Sequence, residues 1–191
     1  MENIIIYGSK YGSSQKYAEE LSARTKIPAV NFQSMPQLSD KKKIIYIGGL
    51  YAGTVTGLAN TLRSFNLKEN QRLIIVTVGL SDPSEPENRS NIRSSLKKQL
   101  CNELFEKAKI FHLRGAIDYT KLSFTHRTLM SLLYKALHKT PEEKLTSQNR
   151  TIVETYGKQA DYINFRALEP IIFEIKKESL IKSFLCRAES F

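Results

Sequence analysis

Serine and glycine crowd the stretch Ser9-Lys10-Tyr11-Gly12-Ser13-Ser14, directly after the apolar run Ile4-Ile5-Ile6. Hydroxyls and backbone N–H groups at a strand-to-helix turn are anion-binding chemistry, and a phosphate is the usual occupant. Two more apolar runs end in a similar way. Ile44–Ile47 leads into Gly48-Gly49-Leu50-Tyr51-Ala52-Gly53-Thr54, and Leu73–Val78 leads into Gly79-Leu80-Ser81-Asp82-Pro83-Ser84. Glycine lets backbone approach a ligand closely, hydroxyls donate to it, and Tyr51 offers a flat face for stacking. Taken singly, the first loop reads equally well as a capped polar turn and Tyr51 as a loop tyrosine. Three such loops in one chain favour a shared ligand.

Other chemistries find less support. No Gly-Lys-Ser/Thr follows the first loop, so it is not a P-loop, and Gly8 and Gly12 do not complete GxGxxG. Cys101 and Cys186 lie far apart with no CxxC or Cys/His ligand spacing, so no metal site is expected. Sparse cysteine fits a reducing, cytoplasmic setting. No general base can be assigned.

The elements that must position these loops alternate. Strands are expected at Asn3–Tyr7, Ala29–Phe32, Ile44–Ile47, Leu73–Val78 and Lys109–Leu113. Helices are expected at Gln15–Thr25, Asn88–Lys107, Leu122–Lys139 and Asn149–Phe165. Continuously apolar strands alternating with helices predict an α/β domain with a parallel sheet. In such sheets ligands bind beyond the carboxyl ends of the strands, where the three loops would gather.

The chain has 191 residues, 41% hydrophobic and 25% charged, which suits one globular domain. No stretch reads as a bilayer span or a secretory signal. The net charge of +10 favours anionic partners or simply a soluble surface. The basic residues are spread along the chain without a nucleic-acid motif, so nucleic acid is not the expected partner.

The first loop, Ser-x-x-Gly-x-Ser, resembles the phosphate loop of flavodoxins, Ser/Thr-x-Thr-Gly-x-Thr. The resemblance covers residues 1–117 and 148–165. It implies a flavodoxin-like three-layer sandwich with a five-stranded parallel sheet in the order 2-1-3-4-5. It also implies FMN, with its phosphate held by Ser9, Gly12 and Ser14 and by the backbone at Lys10, Tyr11 and Ser13. Gly49, Leu50, Tyr51 and Ala52 would flank the flavin ring on one side, and Gly79, Leu80, Ser81 and Asp82 on the other. Tyr11 stands where flavodoxins usually carry threonine. The expected domain is 1–165, followed by an extension, 166–191, that adds an edge element or an oligomer contact.

An insert at about 118–147 departs from a simple flavodoxin. From Arg114 to Lys139, Arg114, Lys121, Arg127, Lys135 and Lys139 face a single acid, Asp118. On a helix, Arg127, Lys135, His138 and Lys139 share one side, and Leu122, Leu129, Leu132, Leu133, Ala136 and Leu137 the other. Such a helix packs on a core, closes as a lid, docks in a partner's groove, or lies on an anionic membrane. The stretches "LRGAIDYTKLSFTHRTLMSLLYK" and "IGGLYAGTVTGLANTLRSF" are similar to the flavodoxin-type protoporphyrinogen oxidases of bacteria. That similarity implies oxidation of protoporphyrinogen IX through FMN, with electrons passed to a membrane quinone. The competing expectations are an FMN-dependent oxidoreductase or electron carrier with a redox partner, that narrower dehydrogenase touching the inner face of the membrane, and a flavin-free partner-binding scaffold. A basic surface favours electron acceptance over a low-potential carrier role.

Overall fold

Isoleucine builds the centre of the molecule. In the computed structural model, which describes residues 3–34, 36–51 and 53–177, five strands lie parallel. They are β1 (Asn3–Gly8), β2 (Ala29–Asn31), β3 (Lys43–Tyr51), β5 (Arg72–Gly79) and β6 (Lys109–Arg114). Their order is β2-β1-β3-β5-β6, and β4 (Thr54–Val55) folds back antiparallel on the end of β3. Chain order therefore reverses between β1 and β3, which opens a crevice at the carboxyl edge of the sheet. The order matches the expectation once the short β4 is set aside.

Each face of the sheet carries its own core. Ile4, Ile6, Ile44, Tyr46, Leu73 and Ile75 meet α2 (Leu58–Leu62), α3 (Pro86–Gln99) and α4 (Asn102–Lys107). Ile5, Ile45, Ile47, Ile74 and Val76 meet α1 (Ser13–Thr25) and the chain's later residues Leu168, Ile171, Ile172 and Ile175. These last side chains come from a 3-10 turn, Phe165–Leu168, and from α7 (169–177). Strands covered on both faces need no alternation, which is why they read as continuous apolar runs.

Several element limits differ from the expected ones. The helix foreseen over Asn88–Lys107 is two, because Leu100 and Cys101 adopt extended backbone between α3 and α4. Leu96, Leu100 and Leu104 still reach one core, so the four-residue apolar spacing is served by both pieces. The helix foreseen over Asn149–Phe165 is α6 (Ser147–Thr155) only. Gly157, at φ 72°, turns the chain out of it, and β8 (Gln159–Asp161) then pairs antiparallel with β7 (Ala116–Asp118). Between β7 and α6 lies α5 (Phe124–Leu137), the helix of the insert. Among the described residues no helix is long and apolar enough to cross a membrane.

Candidate functional site

The turn after β1 is shaped by two glycines. A Cβ on Gly8 would stand 2.0 Å from the Thr56 carbonyl oxygen, so only glycine lets β1 end against the β4 return. Gly12, at φ 93°, opens α1 as its N-cap without any side-chain cap, and its N–H donates to Ser9 Oγ at 3.0 Å. The first bond of the helical ladder runs from Lys16 N–H to Gly12 O, at 2.9 Å. The N–H groups of Ser13, Ser14 and Gln15 therefore have no acceptor inside the helix.

The three serine hydroxyls of this loop do different work. Ser13 Oγ accepts from Ala116 N–H at 3.0 Å and so braces the turn after β6. Ser14 is buried against the β3 loop, where a Cβ on Gly49 would come 3.2 Å from its Oγ. Ser9 Oγ holds the loop closed through Gly12. Lys10 leaves the loop sideways, with its Nζ 4.1 Å above the centroid of the Tyr51 ring.

The end of β3, which runs past the expected Ile47 to Tyr51 and pairs there with β4, faces the loop after β5 across a cavity of about 570 Å³. Ser9, Lys10, Tyr11, Ser13 and Ser14 line one end of it. Gly49, Leu50 and Tyr51 line a second side, and Gly79, Leu80 and Ser81 a third. Three expected residues stand apart. Gly12 acts through backbone geometry and does not line the cavity, and Ala52 lies outside the described residues. Asp82 also stays off the wall. Its carboxylate accepts from Ser84 N–H at 2.8 Å and lies 3.7 Å from Arg114. The Ser84 bonds first, and Arg114 after them, hold its pKa below the usual carboxylate range.

The loop after β3 is held by Thr56, whose N–H and Oγ1 both donate to Gly49 O, at 2.9 and 3.0 Å. From α3, Gln99 Oε1 accepts from Val55 N–H at 2.9 Å, and Ser95 Oγ donates to Gly53 O. The Tyr51 hydroxyl is buried without a partner, and burial, then the neighbouring Tyr11, raises its pKa.

The cavity continues past these loops into space that composition and spacing did not signal. Its far walls are Ile92 from α3, His112 from β6, Ile152 from α6, and Leu129, Met130, Leu132 and Leu133 from α5. The apolar side of α5 thus faces the cavity and not a core. No residue of α5 is buried, and Leu129 and Leu132 remain 47% and 62% exposed. Asn88 ties the far end together, donating to Asp82 O at 2.8 Å and Ser147 Oγ at 3.3 Å. His112 Nδ1 pairs with Thr77 Oγ1 at 2.7 Å. Burial, helped by the charges of Arg93 and Arg89, lowers its pKa to about 4, so this wall is neutral at ordinary pH. His126 approaches Tyr51 with ring centroids 4.3 Å apart and pairs with the Tyr11 hydroxyl. Among the described residues no cluster of His, Cys, Asp or Glu is arranged to hold a metal.

An open parallel sheet of this order, with a ligand-sized cavity at its carboxyl edge under three glycine-bearing loops, defines the flavodoxin-like class of α/β proteins. The chain belongs to the flavodoxin domain family, whose model matches residues 4–144. Similar solved structures include a cysteine-to-alanine and a cysteine-to-serine mutant of flavodoxin from Pseudomonas aeruginosa. They are 17% and 16% identical, with TM-scores of 0.40 and 0.41. Each alignment covers 69% of this chain and 93% of the other. No curated protein matches the chain by sequence.

Proposed function

We propose that this chain binds FMN beneath the three loops and works as a flavin-dependent electron-transfer protein. One observation carries the reading: the loops after β1 and β5 and the end of β3 all line a single cavity of about 570 Å³ at the sheet's carboxyl edge. Family membership supports the same cofactor.

The residues present fit the group. At the β1 end, backbone N–H groups of Ser13, Ser14 and Gln15 lack helical acceptors, and the positive end of α1 suits a phosphate without help from a basic side chain. At the other end, Leu50 and Tyr51 oppose Leu80 and Ser81 and offer apolar and aromatic surface to a flat ring. Bound there, FMN supplies one- and two-electron redox chemistry. The chain's own part is to anchor the phosphate, hold the ring flat, and exclude water on the α5 side. His112, held neutral, brings no charge to the wall.

A second reading is narrower: dehydrogenation of a porphyrinogen, with electrons passed to a quinone. It is favoured by the apolar wall of Leu129, Met130, Leu132 and Leu133, which a bare electron carrier does not need. Phe124, 86% exposed, and the basic residues Arg127 and Lys135 on the same helix suit peripheral contact with an anionic membrane.

Absorbance of the purified protein before and after FMN addition and dialysis tests the first reading. Retained flavin, with visible bands and quenched fluorescence, supports it. Failure to bind at micromolar FMN sinks it and leaves a flavodoxin-like scaffold. With flavin bound, anaerobic reduction by a porphyrinogen decides the second reading.

A further inference from the structure

We infer that Tyr11 and His126 form a pin that fixes helix α5 over the cavity, so that both are positioning residues for whatever α5 holds against the ring. The inference deepens the FMN reading and rests on it for the ligand end. The pin itself is readable with or without FMN.

Tyr11 stands where the flavodoxin loop usually carries a small hydroxyl, and its side chain is 41% exposed. Phosphate binding does not account for so large a residue. Its hydroxyl instead reaches across the site to His126 Nδ1, and the two rings meet edge to face at 5.7 Å. The same imidazole lies 4.3 Å from Tyr51, which also carries Lys10 Nζ at 4.1 Å. One side chain of α5 thus engages both the phosphate loop and the ring loop.

Little else holds this helix. None of its residues is buried. Near its far end, Tyr134 stacks on Tyr156 at 4.0 Å and 7°, which makes a second point of attachment. At its start, Ser123 Oγ accepts from His126 N–H, a local cap that orients the histidine but does not tie the helix to the sheet. An element with so few buried contacts belongs to the low end of local stability. Arg127 Nη2 also donates to Thr120 O at 3.2 Å, so the Tyr11 contact is one of a few, and its loss shifts how often the start of α5 opens. Because Tyr11 sits between Ser9 and Gly12, closing the loop on a phosphate fixes the base of the pin. By linkage, fixing α5 also favours the closed loop.

The test uses the full chain with and without FMN, following hydrogen exchange across 124–137 and flavin release by stopped-flow fluorescence. Tyr11→Phe keeps the ring and the loop backbone but removes the hydroxyl. Exchange at the start of α5 should rise about three- to tenfold, the range for one net hydrogen bond, and flavin release should quicken to a similar degree. Tyr11→Thr, which returns a small hydroxyl to the loop, should keep FMN yet leave α5 as loose as in Tyr11→Phe. Unchanged α5 exchange in Tyr11→Phe overturns the pin. So does a loss of FMN without faster α5 exchange, because Tyr11 would then act on the phosphate alone. If wild type binds no FMN, the flavin reading fails by itself, and exchange in the ligand-free variants still decides the pin.

Discussion

Acid should loosen this protein through His112. Its imidazole faces Thr77, which is fully buried, with Arg89 and Arg93 nearby, and its pKa falls from an ordinary 6.5 to about 4. Because the folded chain disfavours the protonated ring, the contribution is fully present above pH 6.5. It declines as pH falls through the window from 6.5 to about 4 and is gone below it. At ~1.4 kcal/mol per pH unit the effect is at most ~3 kcal/mol, and partial solvent contact reduces it to ~2 kcal/mol. That is a sizeable part of a typical domain's stability of ~5–15 kcal/mol. Urea denaturation at pH 7.5 and 4.5 should show wild type losing ~2 kcal/mol more than His112→Gln, since glutamine can still bond Thr77 but does not titrate. Asp82 and Asp118, whose pKa values are also lowered, weaken both proteins alike and drop out of the comparison. Equal losses in the two proteins, or an imidazole that titrates near 6.5 by NMR, would refute the reasoning.

Three further outcomes are expected. Gly8→Ala pushes a methyl to 2.0 Å from the Thr56 carbonyl, so thermal or urea denaturation should show a loss of at least ~2 kcal/mol; a change within ~0.5 kcal/mol would show that β1 and β4 part easily. Gly12→Ala meets no atom within 4 Å but must hold φ 93°, so a cost of ~1–2 kcal/mol should appear in denaturation, with FMN affinity in a titration falling about tenfold. Tyr51→Phe removes a buried hydroxyl without a partner and should leave stability unchanged or raise it by up to ~1 kcal/mol. Flavin fluorescence should stay quenched in Tyr51→Phe and recover in Tyr51→Ala; recovery in neither would remove Tyr51 as the stacking face.

Much of the sheet could be read from the isoleucine runs, because burial on both faces writes a strand as an unbroken apolar stretch. The loops after β1 and β5 were legible for the same reason, since each begins close to where such a run stops, whereas the expected loop from Gly48 to Tyr51 is the end of β3 and turns only at Gly53. The two-residue β4 carried no signal of its own: Thr54 and Val55 pair only because Gly8 and Gly48 leave room beneath them. Ser13 was expected to offer backbone, and its hydroxyl proves to brace Ala116. The far cavity was hidden because its walls come from distant segments. His112 reads as one residue of a strand and Ile152 as one residue of a helix, and the fold alone brings them together. Of the leucines expected on one side of α5, Leu129, Leu132 and Leu133 line the cavity, while Leu137 turns to a separate hollow beside His138. That they would border open space and not a core depends on where α6 sits, and no spacing within α5 states this.

The packing of α7 has a consequence for how the chain is made. Ile171, Ile172 and Ile175 complete the cover over Ile45, Ile74 and Val76, and Lys43 Nζ donates to the Ile175 carbonyl at 2.6 Å. Translation delivers the strands first, and at ~5–20 residues per second α7 follows β5 onto the ribosome's surface only after several seconds. For that interval α1 alone screens one face of a nearly all-isoleucine sheet. Newly made chains are then most exposed to one another and most in need of a chaperone, and the hazard ends when α7 docks.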